Sequence, residues 1–559
     1  MIPGKESTIQ FHGFTFHRNA IVVALLLCLA GCVANKPYRT QVIPLPETLE
    51  RTTAPATLPD TTYKDQKPGI VLRSGDVKYD LAYIEFDDMG EYWTIGDLTG
   101  RHNVENDSQV ERTVRLIQLR QKEQEPLAVI TFIHGWKNNA SPHDEKDGNL
   151  KDFKETMRKL ACSDPSRHYI AVFIAWRGQV IPNNYFSSYW NRRSAAMRVG
   201  GISMTEALFR LMFVTKPPIS PTIANRCGNH LTESDYPTVR RDPVTGKGLA
   251  ESAIAGVDTQ GAAVSPESQP RSFLKDRFVV VGHSFGARVL ERALSQPLMA
   301  LLYERQSEAV ACVQRFNALN PKDQLSNSPL FQSPADLIAM INSANDSFET
   351  KAMIEGMARM NLSSCMGTDC RRSKDPAYQT PSNGSATNPL PSNASAAHPL
   401  IVAILSAGDQ ATTIAMPLAQ RISYFDQNLD RKYDKATKAH EEGQIDVPKQ
   451  HTFFFHNEAS IPQLISHTVE PESVPQCDTY PHFSNGQTCF VLRAKQALPN
   501  QFVNTTPFWV FGVPSSVIPN HTGIFQPGTV ALLQMIISNA MESSTPLNLT
   551  LKQTVKDSN

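Results

Sequence analysis

From about residue 71 the apolar positions follow two alternating patterns. "LAVITFIHGW" (127–136), "YIAVFIAWRG" (169–178) and "RFVVVGHS" (277–284) are continuous apolar runs closing on glycine, as fully buried central strands require. "SQVERTVRLIQLRQKEQ" (108–124) places Val110, Val114, Ile117 and neighbouring apolar residues at helical spacing, and "NLKDFKETMRKLA" (149–161) reads as an amphipathic helix. "YDLAYIEFDD" (79–88) alternates apolar and polar like an antiparallel strand. Beyond Ser284 a helix over "ARVLERAL" is followed by strand-like "VQRFNALNP" (313–321), "PLIVAILSAGD" (399–409) and "PFWVFGVP" (507–514). Buried strands alternating with helices predict an α/β fold with a doubly wound, mainly parallel sheet.

Three segments break this rhythm and read as loop insertions near 215–271, 341–399 and 430–490. The second contains the low-complexity run "DPAYQTPSNGSATNPLPSNASAAHP" (375–399). The main domain is expected over 69–540, with a C-terminal tail at 541–559. Lys and Arg total 54, as do Asp and Glu, so the chain lacks the basic excess of a nucleic-acid binder and no nucleic-acid partner is expected.

The N-terminus carries Lys5 and Arg18 ahead of the apolar run "AIVVALLLCLAGCVA". The run is too short to span a bilayer, which takes about 20 residues, and fits a signal peptide over 1–31. Its end, "LAGC", resembles the lipobox of bacterial lipoproteins. That resemblance implies cleavage before Cys32 and lipid on its thiol, hence a lipid-anchored protein of the bacterial cell envelope. Val33 rather than Asp follows the cysteine, which favours the outer membrane. Residues 32–68, rich in Pro and Thr, read as a flexible tether.

The chain has nine cysteines. Cys28 leaves with the signal and Cys32 takes the lipid. In an oxidising compartment Cys365 and Cys370 are expected to pair, as are Cys477 and Cys489. Cys162 and Cys227 could form a third pair, and Cys312 is the candidate free thiol in a buried strand. There is no CxxC pair or HExxH, so no metal site is expected.

The chemistry is concentrated in "VVVGHSFGARVL" (279–290). A G-x-S-x-G pattern arises by chance on the order of 0.1 times in such a chain. Here it sits between a strand and a helix, the setting of a nucleophile elbow. Gly282 and Gly286 clear space around a strained turn that exposes the Ser284 hydroxyl. A serine nucleophile needs a base, and the base needs an orienting acid. Asp409 directly follows the buried strand "PLIVAILS"; Asp323 is the alternative acid. His521, in the loop after "PFWVFGVP", is the candidate base, with His451, His456, His467 and His482 ahead of that strand. Two N–H donors must face the developing oxyanion: Phe285, next to the serine, and Trp136, in the loop that Gly135 opens. His134 reads as a structural hydrogen-bonding group.

Together "FIHGWKNNA", "VVVGHSFGARV", "LNP", "SAGDQAT" and "IPNHTGIF" resemble the bacterial serine α/β-hydrolase superfamily, in its esterase branch. The resemblance implies an α/β-hydrolase sheet with long loop insertions, and a carboxylic-ester hydrolase with Ser284, Asp409 and His521 as its triad. It implies no cofactor, a small ester or lipid-like substrate, and contact with the membrane through lipid on Cys32. The sequence leaves oligomeric state open. A thioesterase or amidase of the same fold is the alternative among enzymes. A catalytically idle fold serving as an envelope interaction protein is the alternative outside them.

Overall fold

The computed structural model describes residues 36–39, 79–94, 97, 108–122, 126–179, 185–216, 276–319, 330–331, 333–360, 362–363, 399–416, 464–473, 477, 480–494, 506–542 and 547–549. The expected signal segment, Cys32, most of the expected tether, the segment 217–271, the run 375–398, Asp323, His451, His456, Cys227, Cys365 and Cys370 lie outside these.

The sheet is built from β1 (Tyr79–Glu85), β2 (Leu127–Ile133), β3 (His168–Ala175), β4 (Arg277–His283), β6 (Leu337–Ile341), β8 (Ile401–Ser406), β9 (His467–Pro471), β10 (His482–Ser484), β11 (Cys489–Ala494) and β12 (Phe508–Val513). Their order is β1-β3-β2-β4-β6-β8-β12-β9-β11-β10. The pairings from β1 through β9 are parallel, and β11 and β10 add an antiparallel edge. A smaller three-stranded sheet joins β5 (Leu330–Phe331), β13 (Leu547–Leu549) and β7 (Leu362–Ser363).

Every residue of β2, β3 and β4 is buried, which is why these strands read as unbroken apolar runs. One face packs on α1 (Gln109–Gln121), α5 (Ile202–Thr215), α6 (Phe285–Leu319) and α7 (Ser347–Arg359). The other packs on α3 (Asn149–Ser163) and α8 (Pro527–Glu542). The short α2 (Pro142–Asp147) and α4 (Tyr185–Val199) are the remaining α-helices among the described residues. The α1 start has the expected chemistry: the Ser108 hydroxyl accepts a hydrogen bond from the Glu111 N–H. The fold is thus α/β with a mostly parallel ten-stranded mixed sheet.

Several expectations are corrected. β1 pairs in parallel with β3 rather than antiparallel. Its alternating polar positions are not solvent-facing: Asp80 is held by Arg120 and His168, and Glu85 is also buried. "VQRFNAL" continues α6 instead of forming a strand, so Cys312 sits in a helix. The next strand of the main sheet after Ser284 is "LIAMI", β6. Residues 341–359, expected within an insertion, supply the end of β6 and α7. The segment 430–490 supplies β9 and β10, which extend the sheet, and the expected tail supplies β13. Cys162 is an exposed free thiol.

Cys477 and Cys489 form a disulfide across a separation of 12 residues. Closing so short a loop restricts the unfolded chain modestly, so Cys489→Ser is expected to lower stability by about 3 kcal/mol at most. Urea unfolding of the variant under oxidising conditions measures this, and an unchanged midpoint would contradict it.

Candidate functional site

The site forms where the parallel strands end. Ser284 follows β4 and opens α6, with φ at +55°, the left-handed region that costs a side-chain-bearing residue. Two glycines make this turn possible. A Cβ on Gly282 would lie 2.7 Å from the Ala287 Cα, and one on Gly286 would lie 2.1 Å from the Ile133 carbonyl oxygen. The first turn of α6 is therefore pressed directly onto the end of β2.

Asp409 follows β8 and is fully buried; His521 lies in the loop between β12 and α8. The fold brings them to Ser284 across more than one hundred residues of sequence in each case. His521 Nε2 is 2.7 Å from Ser284 Oγ, and His521 Nδ1 is 2.9 Å from Asp409 Oδ2. A carboxylate can only accept, so Nδ1 carries the hydrogen and Nε2 presents its lone pair to the serine hydroxyl. Asp409 also accepts from the Ala411 and Thr412 N–H groups and, at 2.6 Å, from the Thr412 hydroxyl. Burial alone would raise its pKa, but the hydrogen bond and charge of His521, together with Thr412, hold it below the ordinary carboxylate value. Asp409 therefore stays ionised and fixes the imidazole tautomer. The arrangement can draw the proton from Ser284 onto His521 and stabilise the resulting imidazolium.

The loop after β2 lies against the serine. A Cβ on Gly135 would be 2.8 Å from the Ser284 Cβ and 2.9 Å from the His283 carbonyl oxygen. Trp136 follows, its ring 6.3 Å from that of Phe285, and Lys137 turns the chain at φ +70°. Phe285 is the first residue of α6, so its N–H is among those with no acceptor inside the helix. The two N–H groups expected to face an oxyanion thus belong to segments that meet beside Ser284. His134 braces this loop: its Nδ1–H donates to the Gly135 carbonyl, and its Nε2 accepts from the Trp176 N–H. Burial lowers its pKa to about 4, so it stays neutral.

Sequence reasoning missed two residues that grip the His521 backbone. His283 Nε2–H donates to the His521 carbonyl at 2.9 Å. Burial, followed by the charge of His521, lowers the His283 pKa to about 3, so it too remains neutral. Asn342, fully buried at the end of β6, donates through Nδ2 to the same carbonyl at 3.2 Å and to that of Asn520 at 3.3 Å. Its Oδ1 accepts from the Ser406 N–H, and the Ser406 hydroxyl donates to the Ile518 carbonyl. One asparagine therefore ties the ends of β6 and β8 to the histidine loop. The sequence marks only that Asn342 directly follows the apolar run "LIAMI"; its partners come from distant loops.

His467 and His482 lie instead on β9 and β10, where His467 stacks on Trp509 and His482 pairs with Glu472. No cluster of metal-ligating side chains is present among the described residues. Comparison with protein-family models, with curated proteins and with solved structures found no match to this chain.

Proposed function

We propose that this chain is a serine hydrolase of the α/β-hydrolase type that cleaves carboxylic esters in the bacterial cell envelope, held there by lipid on Cys32. The observation that carries the reading is the relay Ser284–His521–Asp409, with the serine on a strained turn at 2.7 Å from the imidazole. In the forward step Ser284 Oγ bonds to the ester carbonyl carbon while its proton passes to His521 Nε2. The carbonyl oxygen becomes an oxyanion, to which the Phe285 and Trp136 N–H groups donate. The carbon–oxygen bond to the alcohol then breaks, and His521 returns the proton to the departing alkoxide. Water, deprotonated by His521, attacks the acyl-serine; the acid leaves, and Ser284 regains its proton. Asp409 stays ionised throughout and orients the ring.

A panel of p-nitrophenyl esters of increasing acyl length tests the activity and reads the pocket. Turnover of at least one ester is expected; absence of turnover on all of them, by protein that is folded, would contradict the reading. The lipid is tested separately. Cys32→Ser is expected to abolish incorporation of a palmitate analogue, and label retained on the variant would refute the anchor.

His283 and Asn342 act as positioning residues. Displacing the His521 backbone misaligns the imidazole, and such shifts cost up to about a hundredfold in rate. His283→Gln and Asn342→Ala are each expected to lower kcat by about ten- to a hundredfold with KM little changed. Because His283 is neutral down to about pH 3, the acid limb of the pH–rate profile should keep its midpoint in His283→Gln. A fall in kcat/KM that comes entirely from KM, or a moved acid limb, would contradict this role.

A further inference from the structure

The described residues 36–39 are docked on the domain. The Tyr38 and Arg39 N–H groups donate to Glu85 at 2.8 and 2.7 Å. Gln109 Nε2 donates to the Arg39 carbonyl, the Arg39 guanidinium pairs with Glu145 at 2.8 Å, and it lies 4.4 Å from the Tyr83 ring centroid. The flexible tether expected over 32–68 is therefore fastened at these residues.

The place of this attachment is fixed by sheet register. Ile84 aligns with Ile174, Ile174 with Ile133, and Ile133 with Gly282. Glu85 thus lies one residue beyond a row whose other end is one residue short of His283 and two short of Ser284. Three strand spacings of about 4.8 Å make the row about 14 Å long. The N-terminal segment is fastened to the same end of the sheet as Ser284.

That end also exposes large apolar side chains. Met89, 67 % exposed, lies in the turn that follows β1. Ile202, 88 % exposed, begins α5. The α4–α5 corner touches the Met89 turn: a Cβ on Gly90 would meet the Arg198 carbonyl oxygen at 2.3 Å, and the Ser203 hydroxyl donates to Glu91. α5 then runs to the opposite end of the sheet, where Lys216 pairs with Asp336 ahead of β6. Ile414, 63 % exposed, follows Asp409 in the same turn region. Tyr303, the remaining large exposed side chain among the described residues, is on α6, about 28 Å along the helix from Ser284.

We infer that the Ser284 end of the sheet is a lipid-facing surface, held against the bilayer by a short leash, and that the substrate is an ester presented at the membrane surface. The inference rests on the proposed hydrolase and its lipid anchor. Cys32 precedes Lys36 by four residues, which reach at most about 14 Å. A lipid there keeps the fastened edge close to the bilayer, while a long free tether would let the domain turn away. Isolated exposed apolar side chains are ordinary; three at the end of the sheet that bears both the serine and the leash fit a lipid interface.

The test uses the lipidated full chain on phosphatidylethanolamine/phosphatidylglycerol vesicles carrying a fluorogenic long-chain ester, with a soluble short-chain p-nitrophenyl ester assayed in parallel. One variant inserts about 20 Gly/Ser residues between Asn35 and Lys36, adding a span of about 25 Å. The other combines Met89→Ser with Ile202→Ser. In each, the vesicle rate is expected to fall at least about fivefold while the soluble rate stays within about twofold, because effective concentration at the surface drops and the chemistry does not. An unchanged vesicle-to-soluble ratio in either variant overturns the inference. Failure of the underlying readings looks different: wild type would hydrolyse neither ester, or intact mass would show no lipid on Cys32, and either result overturns the inference at that step.

Discussion

Ser284→Ala is expected to abolish ester hydrolysis, lowering kcat by at least about 10⁴-fold, and His521→Ala to be nearly as inactive, because residues that act as a unit do not lose rate additively. Asp409→Asn keeps the imidazole but removes the charge that selects its tautomer, so a residual rate about 10⁴-fold below wild type is expected. The serine variant loses one hydroxyl whose described hydrogen bond is to His521, so its stability should stay within about 1 kcal/mol of wild type. Steady-state kinetics and urea unfolding, measured on the same preparations, separate the two effects. Full activity in Ser284→Ala would leave the strained turn without a chemical role.

Arg120→Ala is expected to cost about 3–5 kcal/mol, the largest stability loss foreseen for a single substitution here. Asp80 is fully buried on β1 and is held by Arg120 Nε at 2.5 Å, Arg120 Nη2 at 2.9 Å and His168 Nε2 at 2.9 Å. Burial pushes the Asp80 pKa up, but the hydrogen bonds of His168 and Arg120 bring it below its ordinary 3.8. A depressed carboxylate stabilises the fold fully above its unfolded pKa, and this is lost as pH falls through the lower folded value. In the variant the lowering by Arg120 is gone while burial and the His168 hydrogen bond stay, so the folded-state pKa of Asp80 rises above its wild-type value. The deficit relative to wild type should therefore be largest near pH 7 and narrow on acidification toward pH 4. Urea unfolding at both values checks this; a deficit that widens on acidification would contradict it.

The central sheet was legible because its strands are buried on both faces. "LAVITFI", "IAVFIA" and "FVVV" admit no solvent-facing position, and their closing glycines mark the turns. The residues of the site were legible for a related reason. Ser284, Asp409 and His521 each come directly after a strand or in the loop beyond one, where side chains from distant sequence converge. Misreadings arose where local pattern and tertiary context disagree. "VQRFNAL", read alone, is strand-like, yet it continues a helix whose preceding turns are rich in Leu, Ala, Glu and Arg, strong helix formers. "LIAMI" carries no closing glycine of the kind that marks the ends of the three legible strands. The polar positions of β1 suggested a solvent face, since nothing local shows that Arg120 and His168 come to meet Asp80. The grip of His283 and Asn342 on the His521 carbonyl was illegible because it depends on which backbone groups the assembled loops bring within reach.

The most direct test of the hydrolase reading is labelling of the native protein with a fluorophosphonate, followed by peptide mapping. One phosphonyl adduct per chain on Ser284 is expected, absent from Ser284→Ala and from heat-denatured wild type, and greatly slowed in His521→Ala. A native, folded protein that takes no label, or takes it at a residue other than Ser284, would contradict the account.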